Sequence, residues 1–200
     1  MKYVFAVLFF ITSFSAQALT ILAFGDSLMS GYGLEEAQGF VPQLEKTLER
    51  ENIKARVVNA AVAGNTTGDG LARLDWSLSE KPDFVLLALG ANDALRGLDP
   101  EQAKLNLEEI IKQVQKENIP IFFIGMKALR NWGPEYVAEF DAIFPDIAAK
   151  YHLPFYPFFL EGVATKAELN QPDGLHPNPE GVKIIVQQML PSIKKALSDR

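Results

Sequence analysis

Four short blocks hold residue types from which acyl-transfer chemistry can be assembled: Gly25-Asp26-Ser27-Leu28, Ala63-Gly64-Asn65, Gly90-Ala91-Asn92-Asp93 and Asp173-Gly174-Leu175-His176. A serine that directly follows a strand and a glycine can be presented from a tight turn with its hydroxyl free, as a nucleophile must be. Serine is a weak nucleophile at its own pKa and needs a general base. The chain has two histidines, His152 and His176. His176 is the better base, because it lies three residues after Asp173 and just ahead of a helix cap. One short loop can then aim the imidazole at Ser27 while the Asp173 carboxylate fixes its tautomer. His152, within Ala149-Lys150-Tyr151-His152-Leu153-Pro154, reads as a surface or boundary histidine.

Taken singly, each block has a plain structural reading. Gly-Asp-Ser is frequent in turns, and Asp-x-x-His arises by chance. Their order is harder to dismiss: the serine follows the first strand, a glycine the second and Gly-x-Asn-Asp the third, while Asp-x-x-His precedes the last helix.

The elements that must carry these blocks alternate along the chain. Strand-like runs are read at 20–24, 56–59, 84–89, 121–124 and, more weakly, 155–158; helical spacing covers 40–50, 71–79, 100–117, 135–150 and 179–197. The clearest helix begins with Asp99 as cap and Pro100 at the first position, and Ala103, Leu107, Ile110 and Val114 line one face. The last is capped by Asn178, starts at Pro179 and buries Val182, Ile185, Val186, Met189 and Ile193, with a kink expected at Pro191. Such alternation implies an α/β fold with a mainly parallel sheet, helices on both faces, and a functional rim at the C-terminal ends of the strands.

Bulk properties bound the partners. At 200 residues the chain fits one domain. A net charge of −6 opposes any non-specific hold on nucleic acid or anionic lipid. The absence of cysteine excludes a thiolate nucleophile, a disulfide framework and cysteine-ligated zinc. Lys2, the apolar run 4–11 and Ala16-Gln17-Ala18 read as a secretory signal over 1–18, cleaved near Ala18, with the working domain at 19–200. The apolar run is too short for a transmembrane anchor. A periplasmic or secreted monomer without a stable membrane anchor is therefore expected.

The four blocks together resemble the GDSL/SGNH hydrolase family over nearly the whole of 19–200. Gly25-Asp26-Ser27-Leu28 matches the block that names the family, and Ser27, Gly64, Asn92 and His176 match its four signature residues. Asn59-Ala60-Ala61-Val62-Ala63-Gly64, Gly68-Asp69-Gly70-Leu71-Ala72-Arg73-Leu74 and Gly174-Leu175-His176-Pro177-Asn178 are most similar to the bacterial periplasmic thioesterase/lysophospholipase/arylesterase branch. The resemblance implies a three-layer α/β/α fold with a five-stranded, flavodoxin-like sheet. It also implies a Ser27-His176-Asp173 triad, no metal or cofactor, and activity on acyl esters and thioesters of small molecules or lipids. The residues admit matching roles: Ser27 N–H, Gly64 N–H and the Asn92 amide are candidate donors to an oxyanion. Gly64 as a turn glycine and Asn92 as a turn former are the plainer alternatives. Asp26 and Asp93 are expected to brace loops through backbone amides.

Rival readings are weaker. A metal-dependent phosphoesterase needs more ligands than two histidines and scattered carboxylates provide. A dinucleotide site fails because Glu36 stands where the third glycine belongs after Gly31-Tyr32-Gly33. An exported acyl-binding protein without turnover leaves the triad spacing unexplained, and a nucleophile elbow lacks its second glycine at Met29. A carbohydrate O-deacetylase of the same fold is the alternative on substrate. The segment Ala94-Leu95-Arg96-Gly97-Leu98-Asp99 reads either as a small lid, with Leu95 and Leu98 touching an acyl chain, or as a plain connector.

Overall fold

The computed structural model describes residues 18–200, so the expected signal at 1–18 lies, save for Ala18, outside the described residues. Five apolar runs pair into one sheet: β1 (Leu19–Gly25), β2 (Ala55–Asn59), β3 (Phe84–Ala88), β4 (Ile121–Ile124) and β5 (Phe155–Tyr156). Their order is β2-β1-β3-β4-β5 and every neighbouring pair is parallel. β3 and β4 are buried at every position, as strands covered on both faces must be.

The helices are α1 (Ser27–Ser30), α2 (Phe40–Arg50), α3 (Thr67–Ala72), α4 (Leu74–Leu78), α5 (Ala91–Leu95), α6 (Pro100–Lys116), α7 (Pro134–Lys150) and α8 (Pro179–Ser198). α2 packs with α8 over one face of the sheet, while α3, α6 and α7 pack in series over the other. The result is three layers around one core, in which Phe24, Phe122, Phe123, Phe140 and Phe144 are buried.

Local chemistry explains where the long helices begin. Asp99 accepts the Glu101 amide at 3.0 Å with Pro100 in the first turn, and Ala103, Leu107, Ile110 and Val114 form the buried stripe of α6. Asn178 accepts the Glu180 and Gly181 amides and so caps α8, which continues as one helix through Pro191.

Three features differ from the sequence pattern. The helix expected over 71–79 is two short ones, because Thr66 and Asp69 form a reciprocal capping box that starts α3 earlier and the chain leaves helical geometry at Arg73. β5 ends at Tyr156 rather than 158, where Pro157 has no N–H to give a ladder. One-turn helices α1 and α5 follow β1 and β3 directly.

The topology locates a crevice. The first crossover carries the chain from β1 outward to β2, and the second returns it past β1 to β3. The loops after β1 and β3 therefore depart from a switch point at the C-terminal rim, where open α/β sheets leave room for a ligand.

Candidate active site

Ser27 is the first residue of α1, immediately beyond β1. The turn is built by Asp26, which is fully buried: its Oδ1 accepts the Leu28 amide at 3.0 Å, and its carbonyl accepts the Met29 and Ser30 amides. Gly25 lets the ends of β1 and β3 approach, since a Cβ there would sit 2.8 Å from the Ala88 carbonyl oxygen. The expected bracing role of Asp26 is thus present as a cap.

His176 reaches Ser27 from 149 positions away. Its Nε2 lies 2.8 Å from Ser27 Oγ, and its Nδ1 lies 2.7 Å from Asp173 Oδ2. Asp173 Oδ1 also accepts the amides of Leu175 (2.9 Å) and His176 (3.0 Å). These bonds, the His176 amide foremost and the His176 ring after it, hold the Asp173 carboxyl down at about 2 against some loss of solvation. An ionised Asp173 can only accept, so Nδ1 bears the proton and the Nε2 lone pair faces the serine hydroxyl. Gln171 stitches this loop in place: its amide donates to the His176 carbonyl at 2.7 Å, and its side-chain Nε2 donates to the carbonyls of Tyr32 (2.8 Å) and Pro177 (3.0 Å). The Tyr32 ring lies 4.8 Å from the His176 ring, centroid to centroid.

Gly64 and Asn92 follow β2 and β3, the two strands that flank β1. Gly64 has φ 81°, a left-handed conformation that suits glycine, and its carbonyl accepts Arg96 Nη2 at 2.8 Å. Asn92, buried on α5, donates one Nδ2 hydrogen to the Asn65 carbonyl at 2.9 Å. The second amide hydrogen is left for another acceptor. Asp93 accepts Thr67 N at 2.9 Å and Thr67 Oγ1 at 2.6 Å, tying α5 to α3 as the expected brace.

Charge beneath the nucleophile is tightly confined. Asp26 Oδ2 has no hydrogen-bond partner, and burial, aided by the nearby Asp93 charge, pushes the carboxyl up to about 7 against the pull of the Leu28 amide and Arg73. Arg73 donates to Asn65, Ala60, Ser77 and Gly25 and lies 4.2 Å over the Phe24 ring.

The structure therefore gathers Ser27, His176 and Asp173 in one hydrogen-bonded chain. Gly64, on the loop after β2, and Asn92, on α5, are linked through Asn65. Leu95 is half-buried on α5, and Leu98 is 40% exposed. Their segment is fastened by Leu98 N to the Asp93 carbonyl (3.0 Å) and by the Tyr136 hydroxyl donating to the Leu98 carbonyl (2.9 Å). His152 is an exposed turn residue with φ 52° after α7, at the opposite rim. A cavity of about 680 Å³ also lies at that opposite rim, around Leu19, Ile53, Asp83 and Leu197, away from all of this chemistry. Among the described residues no three His, Asp or Glu side chains gather where a metal ion could sit. Sequence reasoning gives no role to Tyr32, Gln171, Thr67 or Arg73; each has at least one partner far along the chain, and only the arginine among apolar helix positions offers a signal.

The GDSL-like Lipase/Acylhydrolase family matches residues 23–184. The "Esterase TesA" of Pseudomonas aeruginosa is 37% identical over 183 residues, covering 91% of each chain. The "Thioesterase 1/protease 1/lysophospholipase L1" of Escherichia coli is 36% identical over 186 residues, or 92% of this chain and 88% of that one. Among solved structures, psychrotrophic esterase EstA from Pseudoalteromonas sp., in a form inhibited by monoethylphosphonate, superposes with a TM-score of 0.85 at 36% identity, covering 90% of this chain and 98% of its own.

Proposed function

The chain belongs to the GDSL-like lipase/acylhydrolase family and is a carboxylic ester hydrolase, and we propose that it cleaves acyl esters and thioesters through a Ser27-His176-Asp173 triad and an acyl-enzyme. The observation that carries this reading is the continuous chain from Asp173 Oδ2 through His176 Nδ1 and Nε2 to Ser27 Oγ, at 2.7 and 2.8 Å.

Ser27 Oγ attacks the acyl carbonyl as His176 Nε2 takes its proton, and Asp173 stabilises the imidazolium that forms. Charge then develops on the carbonyl oxygen, where Ser27 N–H, Gly64 N–H and the free Asn92 amide hydrogen act as donors. Collapse of the tetrahedral species expels the alcohol or thiol, protonated by His176. Water, deprotonated by the same histidine, then attacks the Ser27 ester and releases the acid. The small-molecule or lipid ester is the only partner this chemistry requires. No described helix is long and apolar enough to cross a membrane. The working form in this reading is a monomer exported after removal of 1–18.

The test is Ser27→Ala together with a fluorophosphonate probe. The variant should fold normally and lose more than about 10³ in kcat, and the probe should label the native protein at Ser27 alone. Near-normal turnover by the variant overturns the assignment. One panel of nitrophenyl esters, acyl-CoAs, lysophospholipids and acetylated sugars separates this reading from a carbohydrate O-deacetylase.

A further inference from the structure

We propose that Arg73 is a positioning residue for the oxyanion side of the site, a single cation that holds the three loops carrying Ser27, Gly64 and Asn92 in register. The inference rests on the proposed oxyanion donors and concerns what aims them.

Arg73 occupies the break between α3 and α4, and its guanidinium points back under the C-terminal rim. Its Nη2 donates at 2.9 Å to the carbonyl of Gly25, the last residue of β1 and two before Ser27. Its Nη1 donates at 2.6 Å to the carbonyl of Ala60, just past β2, and at 3.2 Å to Ser77 Oγ. Its Nε donates at 2.6 Å to Asn65 Oδ1. Asn65 is the neighbour of Gly64, and its carbonyl is the acceptor that orients the Asn92 amide at 2.9 Å. The chain of contacts from Arg73 thus ends on the Asn92 donor. The guanidinium carbon lies over the Phe24 ring, 4.2 Å from its centroid.

Only arginine suits this task. Its rigid planar fork presents donors in several fixed directions, whereas an ammonium is a flexible point charge that can meet one or two of these acceptors and cannot stack in the same way. Burial opposes the charged form, but the carboxylates of Asp26 and Asp69 favour it. The cation therefore sits against two backbone carbonyls that precede the reacting groups by a few residues. Oxyanion donors contribute through preorganisation, and a shift on the order of 1 Å at such a site can cost about 10²-fold in rate. A brace that fixes three loops is where that precision would be lost first.

The experiment is a double-mutant cycle of Arg73→Met and Arg73→Lys with Asn92→Ala, read as kcat and KM on a short nitrophenyl ester, with thermal melts alongside. Both Arg73 variants should lower kcat by roughly 10- to 100-fold while KM moves less than about 3-fold, because the loss falls on the transition state. In the Asn92→Ala background the same substitutions should cost at least about 5-fold less, since the donor they misplace is already gone. If Arg73→Met fails to fold, Arg73→Lys keeps the charge and stem, and Asn65→Ala removes only the Nε acceptor; those two then carry the cycle. Full multiplicativity with Asn92→Ala, or a rise in KM alone, overturns the positioning role while leaving the oxyanion reading intact. An unchanged kcat in Asn92→Ala by itself overturns the oxyanion reading and this inference with it.

Discussion

Replacing Asp26 by asparagine should change how the stability of this protein depends on pH. Asp26 is fully buried, its Oδ2 is unpartnered, and its carboxyl is pushed from 3.8 up to about 7. The folded state therefore binds the Asp26 proton more tightly than the unfolded chain does. Between 3.8 and about 7 the unfolded chain has ionised while the folded protein has not, so Asp26 makes stability fall as pH rises through that window. Below the window it contributes nothing, and above it the loss is complete. At about 1.4 kcal/mol per pH unit, the interval from 3.8 to about 7 corresponds to a loss on the order of 4 kcal/mol. The side-chain amide introduced by Asp26→Asn cannot ionise, yet its oxygen can still accept the Leu28 amide that caps α1. Any fixed cost of fitting an amide hydrogen beside Asp93 is the same at every pH and drops out of the comparison. Urea unfolding of both proteins from about pH 4 to about pH 8 measures the difference directly. The variant should gain on the wild type up to about pH 7 and then level off, by a total on the order of 4 kcal/mol. Parallel stability curves for the two proteins would refute the reasoning, because they would mean that Asp26 is already ionised in the fold at no cost.

Two further predictions concern turnover. kcat/KM should fall on acidification with a slope of about one on a logarithmic plot, because a proton on His176 Nε2 removes the acceptor for the Ser27 hydroxyl, while Asp173, held down at about 2, stays ionised over the same range. A pH–rate profile that is flat into strongly acidic solution excludes His176 as the base. Leu98→Ala and Leu95→Ala should lower kcat/KM for long acyl chains by roughly 5- to 50-fold and for acetyl esters by far less. Leu98 is 40% exposed, and each lost methylene contact is worth about 0.8 kcal/mol only when a chain is there to meet it. Equal losses across an acyl-length series return the segment to a plain connector.

Much of this protein is legible in one dimension because the determinants are local. The stripes of α6 and α8, the caps at Asp99 and Asn178, and the apolar runs of β1, β3 and β4 are patterns of near neighbours, so the alternating α/β order follows from hydrophobic periodicity and backbone capping. The blocks around Ser27, Gly64, Asn92 and Asp173-x-x-His176 stand out because each must hold one residue at a strand end or loop tip. What sequence could not supply is the pairing of distant pieces. That β1 lies between β2 and β3 decides which strand-end loops meet, and the packing of α8 on α2 with the Gln171–Tyr32 bond brings a histidine 149 positions away to 2.8 Å from Ser27. Nor does the sequence show that the guanidinium at the Arg73 break collects carbonyls from β1 and from the loop after β2. Likewise Asp26 looks like an ordinary turn aspartate in the chain and becomes a buried, proton-holding carboxyl only when the fold encloses it near Asp93 and Arg73. Desolvation and Coulomb energies depend on which groups surround a charge in space, and that is settled by packing rather than by neighbours in sequence.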